Sequence, residues 1–240
     1  KIKTKTGNEL LLTKQHPLFT TNHGLINSKT AAEFNIGEYI AQPSNLNVFG
    51  ELQQVPIDFE KVKSFHKTKY NLPTHIGVKF ARLLGYLVGD GYVRQRKTTG
   101  LVSITNNDFD LLNRFEHIIH DLFGIQVSKR KKQNSNSYEY YFCSRELVNC
   151  LEKIDKNITK GSGDMLISKY IQKSPDFVLK EFISALFDCE GYVNKNKREI
   201  EFSSKSKNLI VDLKLCLLRF GITTQSSECL KHATNTINKI

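Results

Sequence analysis

The sequence predicts an α+β protein: a pseudo-twofold pair of αββαββα units, preceded by a partial all-β module. Three observations carry that prediction. LLGYLVGDGYV (Leu83–Val93) and ISALFDCEGYV (Ile183–Val193) end in the same acid-Gly-Tyr-Val step, one hundred residues apart. LFGI from Leu122 and RFGI from Arg219 recur ninety-seven residues apart, so the landmarks repeat in register and mark an internal duplication. Residues 1–60 differ in character, with five lysines against six acids and short apolar runs broken by glycines and polar turns.

The elements follow in order. Residues 1–60 hold ELLLT, HPLFTT, GLINSKTAAEF and GEYIAQ, which suit short strands. The polar, basic stretch 61–74 reads as a linker. The first duplicated unit spans 75–155, and Thr74 offers an N-cap for a helix running to about Gly89. YVRQRK and GLVSIT suit a hairpin. NDFDLLNRFEHIIHDLFG has Asn107 or Asp108 as N-cap, apolar residues at helical spacing, and Gly124 as its stop. IQVSKRKK and YEYYFCS read as a second strand pair, and RELVNCLEKI as the closing helix. The second unit, 156–240, restarts with SPDFVLKEFISALFDCEG, where Ser174 is the N-cap and Pro175 the first helical residue. YVNKNK and REIEFSS give its hairpin, KNLIVDLKLCLLRFG its next helix and ITTQSSECL its next strand. A final helix is missing, so this unit reads as C-terminally incomplete.

Charge and cysteine usage bound the function. The chain carries 35 Lys and Arg against 24 Asp and Glu, a net charge of +11. Residues 1–60 net −1, so the basic excess lies in the duplicated part and predicts a polyanionic partner, most commonly nucleic acid. Five cysteines without a C-x-x-C pair argue against a disulfide framework or a cysteine zinc site. They predict reduced thiols in an intracellular protein, of the cytoplasm or nucleoid. No apolar run approaches the ~20 residues of a membrane span and no secretory signal opens the chain, so no membrane partner is expected. The only methionine is Met165, and the chain reads as a piece of something longer.

Gly85 and Gly89 are four apart, hence on one helical face, and their counterparts Ala185 and Cys189 are also small. Small residues at that spacing let two helix backbones approach closely. Such a seam would bring Asp90 and Glu190 together at the helix ends, where Gly91 and Gly191 release each chain into a strand. Two acids there suffer mutual repulsion and an unfavourable helix dipole, which divalent cations would offset. Mg²⁺ (or Mn²⁺), held by oxygen ligands, could activate water and stabilise a leaving oxygen in phosphodiester cleavage.

The paired motifs resemble those of the LAGLIDADG homing endonucleases in their single-chain, pseudo-symmetric form, over roughly residues 75–240. The resemblance implies a saddle of two four-stranded sheets that straddles double-stranded DNA as a monomer. It also implies Mg²⁺-dependent cleavage of both strands across the minor groove. Asp90 and Glu190 fall on the family's metal-binding and catalytic acids. TGNELLLTKQHPLFT followed by AAEFNIGEYIAQP resembles the interior of an intein splicing (Hint) module, with Thr13 and His16 on that family's T-x-x-H element. Together the two resemblances imply an intein that carries its own endonuclease within a precursor, flanked by host protein.

Strand alternation nominates a DNA-facing set: Arg94 and Arg96, then Gln126, Ser128, Arg130 and Lys132, and in the second half Asn194, Asn196 and Gln225. The second-half set is the less basic, so the first half is expected to supply more of the salt-dependent affinity. The family's Lys-x-x-Pro segment has no match here, since MLISKYI places Met165 and Ser168 in those positions, with Lys160 and Lys169 flanking it. Terminal splicing residues are also lacking, so the segment as it stands should not splice, and its nuclease could be reduced or limited to one strand. Two alternatives stand beside the endonuclease: a nucleic-acid-binding protein or RNA maturase that keeps the saddle without cleavage, and a self-splicing element with an inactive nuclease passenger.

Overall fold

The computed structural model describes residues 1–56, 72–133 and 135–230. The chain divides into two compact units. One comprises residues 1–46 with the described residues from Leu217 onward, and the other residues 47–216. Most of the predicted linker, from 61 to 71, lies outside the described residues.

In the larger unit, α1 (Val78–Gly89), β5 (Gly91–Gln95), β6 (Gly100–Asn106), α2 (Phe109–Phe123), β7 (Ser128–Lys131), β8 (Tyr138–Cys143) and α3 (Arg145–Ile154) follow the αββαββα order. The strands make one antiparallel sheet, β5-β6-β8-β7. Alternation decides its faces. Val93, Val102, Ile104, Tyr140 and Phe142 are buried under the helices, against Phe80, Leu112, Phe115 and Phe123, and Phe80 meets Phe123 edge to face. Asp108 caps α2 by accepting from the Asp110 and Leu111 amides, and Gly124 ends it in the left-handed region, φ 67°. Ser144 caps α3 through the Leu147 amide.

The second copy comprises α5 (Asp176–Glu190), β9 (Gly191–Asn194), β10 (Glu199–Phe202) and α6 (Lys207–Leu218), with the one-turn α4 (Lys169–Gln172) ahead of it. Two expectations change here. Residues 222–230 form no strand: β9 and β10 pair only with each other, and the amide of Ser226 donates to the Thr6 carbonyl instead. A strand needs a neighbour along its length, and among the described residues the second sheet offers none. Helix α1 opens at Val78 after Gly77, not at Thr74. The Thr74 carbonyl accepts from the Val55 amide and Ile76 donates to Gln53, which holds 74–76 extended. Ser174 sits one residue outside the α5 cap and donates its hydroxyl to the Tyr170 carbonyl.

The smaller unit holds two hairpins, β1 (Ile2–Lys3) with β2 (Glu9–Leu10) and β3 (Pro17–Asn22) with β4 (Leu25–Thr30). The second turns through His23 and Gly24, both at positive φ, as a two-residue hairpin loop requires. Of residues 1–46 only Thr20 is buried, and Phe19, Leu25, Ile26 and Ile36 are exposed.

Candidate active site

Helices α1 and α5 pack with almost no space between their backbones. A methyl group built on Gly85 would lie 2.5 Å from the Phe182 carbonyl oxygen and 2.7 Å from Ala185 Cβ. One built on Gly89 would lie 2.5 Å from Cys189 Cβ. The four small residues singled out in the sequence therefore meet as two pairs, with Leu83, Tyr86, Leu87, Phe182 and Leu186 buried around them. An ion-pair network, which sequence reasoning missed, ties the same two helices. Arg82 of α1 reaches Glu181 and Asp188 of α5, each at 2.7 Å, and its Nε donates to the Tyr86 hydroxyl at 3.1 Å. A partner ninety-nine residues away leaves no local pattern to read.

The seam ends at the two acids. Asp90 caps α1, its amide donating to the Tyr86 carbonyl, and Glu190 is the last residue of α5. Both line one polar pocket of about 310 Å³, together with Cys189, Thr105, Asn106, Asn107 and residues of the β7–β8 turn. Burial raises the Asp90 pKa, and hydrogen bonds from Asn106 and Cys189 partly offset this. Glu190 is raised by burial and by the charge of Asp90. The Asn106 side-chain amide donates to Asp90 Oδ2 at 2.6 Å. Nothing along the chain signals this contact beyond the polar TNND step that ends β6.

The family implies a divalent cation, and the donor set fits one. Two carboxylates with raised pKa share a pocket that no Lys, Arg or His lines. Among the described residues no three His, Cys, Asp or Glu side chains are grouped to hold a metal by themselves. Two carboxylates with further oxygens from water or phosphate are what Mg²⁺ takes, whereas zinc sites need a fuller protein cage. Lys160 and Lys169 are exposed and do not line the pocket, and Met165 is buried.

The face of the sheet opposite the helices carries most of the first-half residues nominated above. Tyr92, Arg94 and Arg96 are exposed around buried Val93, and Ser128 and Arg130 are exposed on β7. Gln126 is exposed just before β7, and Lys132 just after it is half-buried. Across the strands, Thr105, Glu139 and Arg130 stand in one row and Tyr92, Ser103, Tyr141 and Ser128 in the next. Glu139 was not anticipated: it is 3% exposed and paired with Arg130 at 2.5 Å and Lys132 at 3.4 Å. Burial acts to raise its pKa, but those cations and Ser103 outweigh it and hold the carboxyl low. Arg130 also lies over the Tyr141 ring, 5.0 Å from its centroid.

The second-half residues are placed less uniformly. Asn194 is engaged within its hairpin, donating to Glu201 at 2.9 Å and accepting from the Lys197 amide. Asn196 is exposed in the turn, and Gln225 is exposed outside any strand and belongs to the smaller unit. In that unit Thr13 and His16 are exposed and joined by a turn in which the His16 amide donates to the Thr13 carbonyl. Among the described residues no helix is long and apolar enough to cross a membrane.

Comparison with known proteins follows the same division. The replication factor C small subunit of Methanocaldococcus jannaschii is 29% identical over 238 residues, 99% of this chain and 11% of that protein. An A-type ATP synthase subunit of Pyrococcus abyssi is 30% identical over 225 residues, 92% of this chain and 21% of that protein. The ATP-dependent DNA helicase Hel308 of M. jannaschii is 26% identical, over 92% of this chain and 16% of that protein. The chain thus spans about a fifth or less of these relatives' own length. Among solved structures, the homing endonuclease I-DmoI in complex with DNA and Mn superposes with a TM-score of 0.45 at 19% identity, covering 62% of this chain and 80% of that one. At that overlap the likeness positions no residue here. The LAGLIDADG-like domain model matches residues 77–155 and 177–239, more than half of the chain and both copies of the duplication, and the chain belongs to that family.

Proposed function

We propose that the larger unit is a site-specific DNA endonuclease of the homing type, cutting both strands of a duplex with Mg²⁺ or Mn²⁺. The observation that carries this reading is the delivery of Asp90 and Glu190, by two duplicated helices in backbone contact, into one pocket free of basic residues. A protein that only binds nucleic acid gains nothing from two buried carboxylates set beside phosphate. Asp90 and Glu190 would hold the cation, and a bound divalent ion supplies water activation and stabilisation of the leaving oxygen. The reaction adds one water across the phosphodiester. Its oxygen bonds to phosphorus, the P–O bond to one sugar breaks, and the departing sugar oxygen takes up a proton. The protein's part is to hold the carboxylates ionised and oriented and to seat the duplex on the outer sheet face.

We further propose that this unit is carried within an intein. A replication factor, an ATP synthase component and a helicase are proteins of different kinds. Each nevertheless matches nearly the whole of this chain with a minor fraction of its own length. A segment shared that way is what an inserted, mobile element leaves behind. Residues 1–46 fit as part of its splicing module: they pair into hairpins yet bury no hydrophobic side chain, so their core has to come from chain outside them.

The deciding experiment uses a duplex made from the host coding sequence on either side of this element's coding segment, joined without it. Double-strand cleavage with Mg²⁺ is expected. Binding without any nick would favour the non-cleaving reading. On the same duplex, Glu139→Gln should release Arg130 and Lys132 towards phosphate. Anisotropy titrations across salt should then show log K falling more steeply against log salt, by about one unit of slope per added phosphate contact. An unchanged slope would place that row of residues off the DNA.

A further inference from the structure

The two acids are not equivalent, and the difference lies in what holds them. Asn106 uses both ends of its amide: Nδ2 donates to Asp90 at 2.6 Å while Oδ1 accepts from the Asp108 amide at 2.8 Å. Its orientation is therefore fixed by the chain that starts α2. Strand register identifies its counterpart. Gly91 pairs with Ile104 in the first copy and Gly191 with Phe202 in the second, which places Ser204 where Asn106 stands. Ser204 reproduces one half of the arrangement, its hydroxyl accepting from the Ser206 amide at 3.1 Å. It has no second polar group with which to reach the acid.

The seam repeats this bias. Cys189 lies against Asp90 and its thiol donates to that carboxylate, whereas the corresponding residue beside Glu190 is Gly89, which has no side chain to offer. Among the described residues no side-chain hydrogen bond reaches Glu190. One acid has two donors and its mate has none.

We propose that Asn106, supported by Cys189, is a positioning residue that sets Asp90 for reaction and leaves Glu190 unset, so that the two strands are cut in sequence through a nicked intermediate. This rests on the nuclease reading. Groups that orient metal-binding side chains are worth roughly 10- to 100-fold in affinity or rate, which is ample to separate two cuts in time.

The test uses the full protein that carries this chain and the joined host duplex, each strand labelled separately. Mn²⁺ binding to the protein–DNA complex is followed in parallel by the resonance of free Mn²⁺. Asn106→Ser keeps the acceptor that starts α2, as Ser204 does, and removes only the donor to Asp90. It should slow the faster cut about 10- to 100-fold, leave the slower within about twofold, and weaken the tighter Mn²⁺ binding by a similar factor. Ser204→Asn should speed the slower cut. Equal slowing of both strands, no slowing of either, or simultaneous cutting by the unaltered protein overturns the inference while the nuclease reading stands. If the unaltered protein cuts neither strand, the nuclease reading falls. The Mn²⁺ titration then decides alone, and an unchanged affinity in Asn106→Ser sinks the inference too.

Discussion

Asp90→Asn should lower the rate of strand cutting at least about 100-fold and, in the same molecule, raise thermal stability at neutral pH. The two effects have one cause. Burial, together with a neighbouring acid, makes the ionised form of Asp90 costly, and the raised pKa of both carboxyls expresses that cost. The sign follows from proton linkage. A carboxyl whose pKa is higher in the folded state binds its proton more tightly there. The stability it contributes is present when it is protonated, and is lost as pH rises from the unfolded value near 4 through the higher folded one. Asparagine has the shape of the carboxylate, keeps an oxygen for Asn106 and never ionises, so it escapes that loss. Melting curves of the two proteins without divalent ions should converge at acid pH and separate towards neutrality, with the variant higher. A variant that melts at or below the parent at neutral pH, or cuts at the parent's rate, would contradict this account.

Why some of the site can be read from the chain and some cannot comes down to distance along the backbone. Gly85 and Gly89 are readable because a four-residue spacing fixes a common helical side before any partner is known, and it is on that side that Ala185 and Cys189 meet them. The Asp108 cap and the Gly124 stop are local in the same sense. Arg82 with Glu181 and Asp188, and Asn106 with Asp90, are pairs that only the packed seam and the finished sheet create. Glu139 hides in YEYYFC because alternation there is masked by tyrosines, which suit either face. The Thr74 cap failed for a related reason. The residue has the right chemistry, but backbone pairing with residues 53–55 claims its segment first. The expected strand at 222–230 was a claim about a neighbour, and no local pattern can guarantee one.

The seam itself gives the second large effect. A methyl group on Gly85 would stand 2.5 Å from the Phe182 carbonyl oxygen, well inside contact distance, and the obstacle is backbone rather than a side chain that can swing away. Relief requires the helices to separate, so Gly85→Ala should cost about 1–3 kcal/mol, the usual range for overpacking, or roughly 2–12 °C in melting temperature for a chain of this size. Gly161→Ala is the matched control, because nothing lies within 4 Å of the added methyl, and it should be close to neutral. Cutting discriminates further. The acids sit at the end of the contact that Gly85→Ala wedges open, so the rate should fall even at temperatures where the variant is fully folded. A lower melting point with an unchanged rate would mean that the close approach of α1 and α5 serves stability alone. A lowered rate in folded protein would mean that backbone contact between the two helices is what sets the spacing of Asp90 and Glu190.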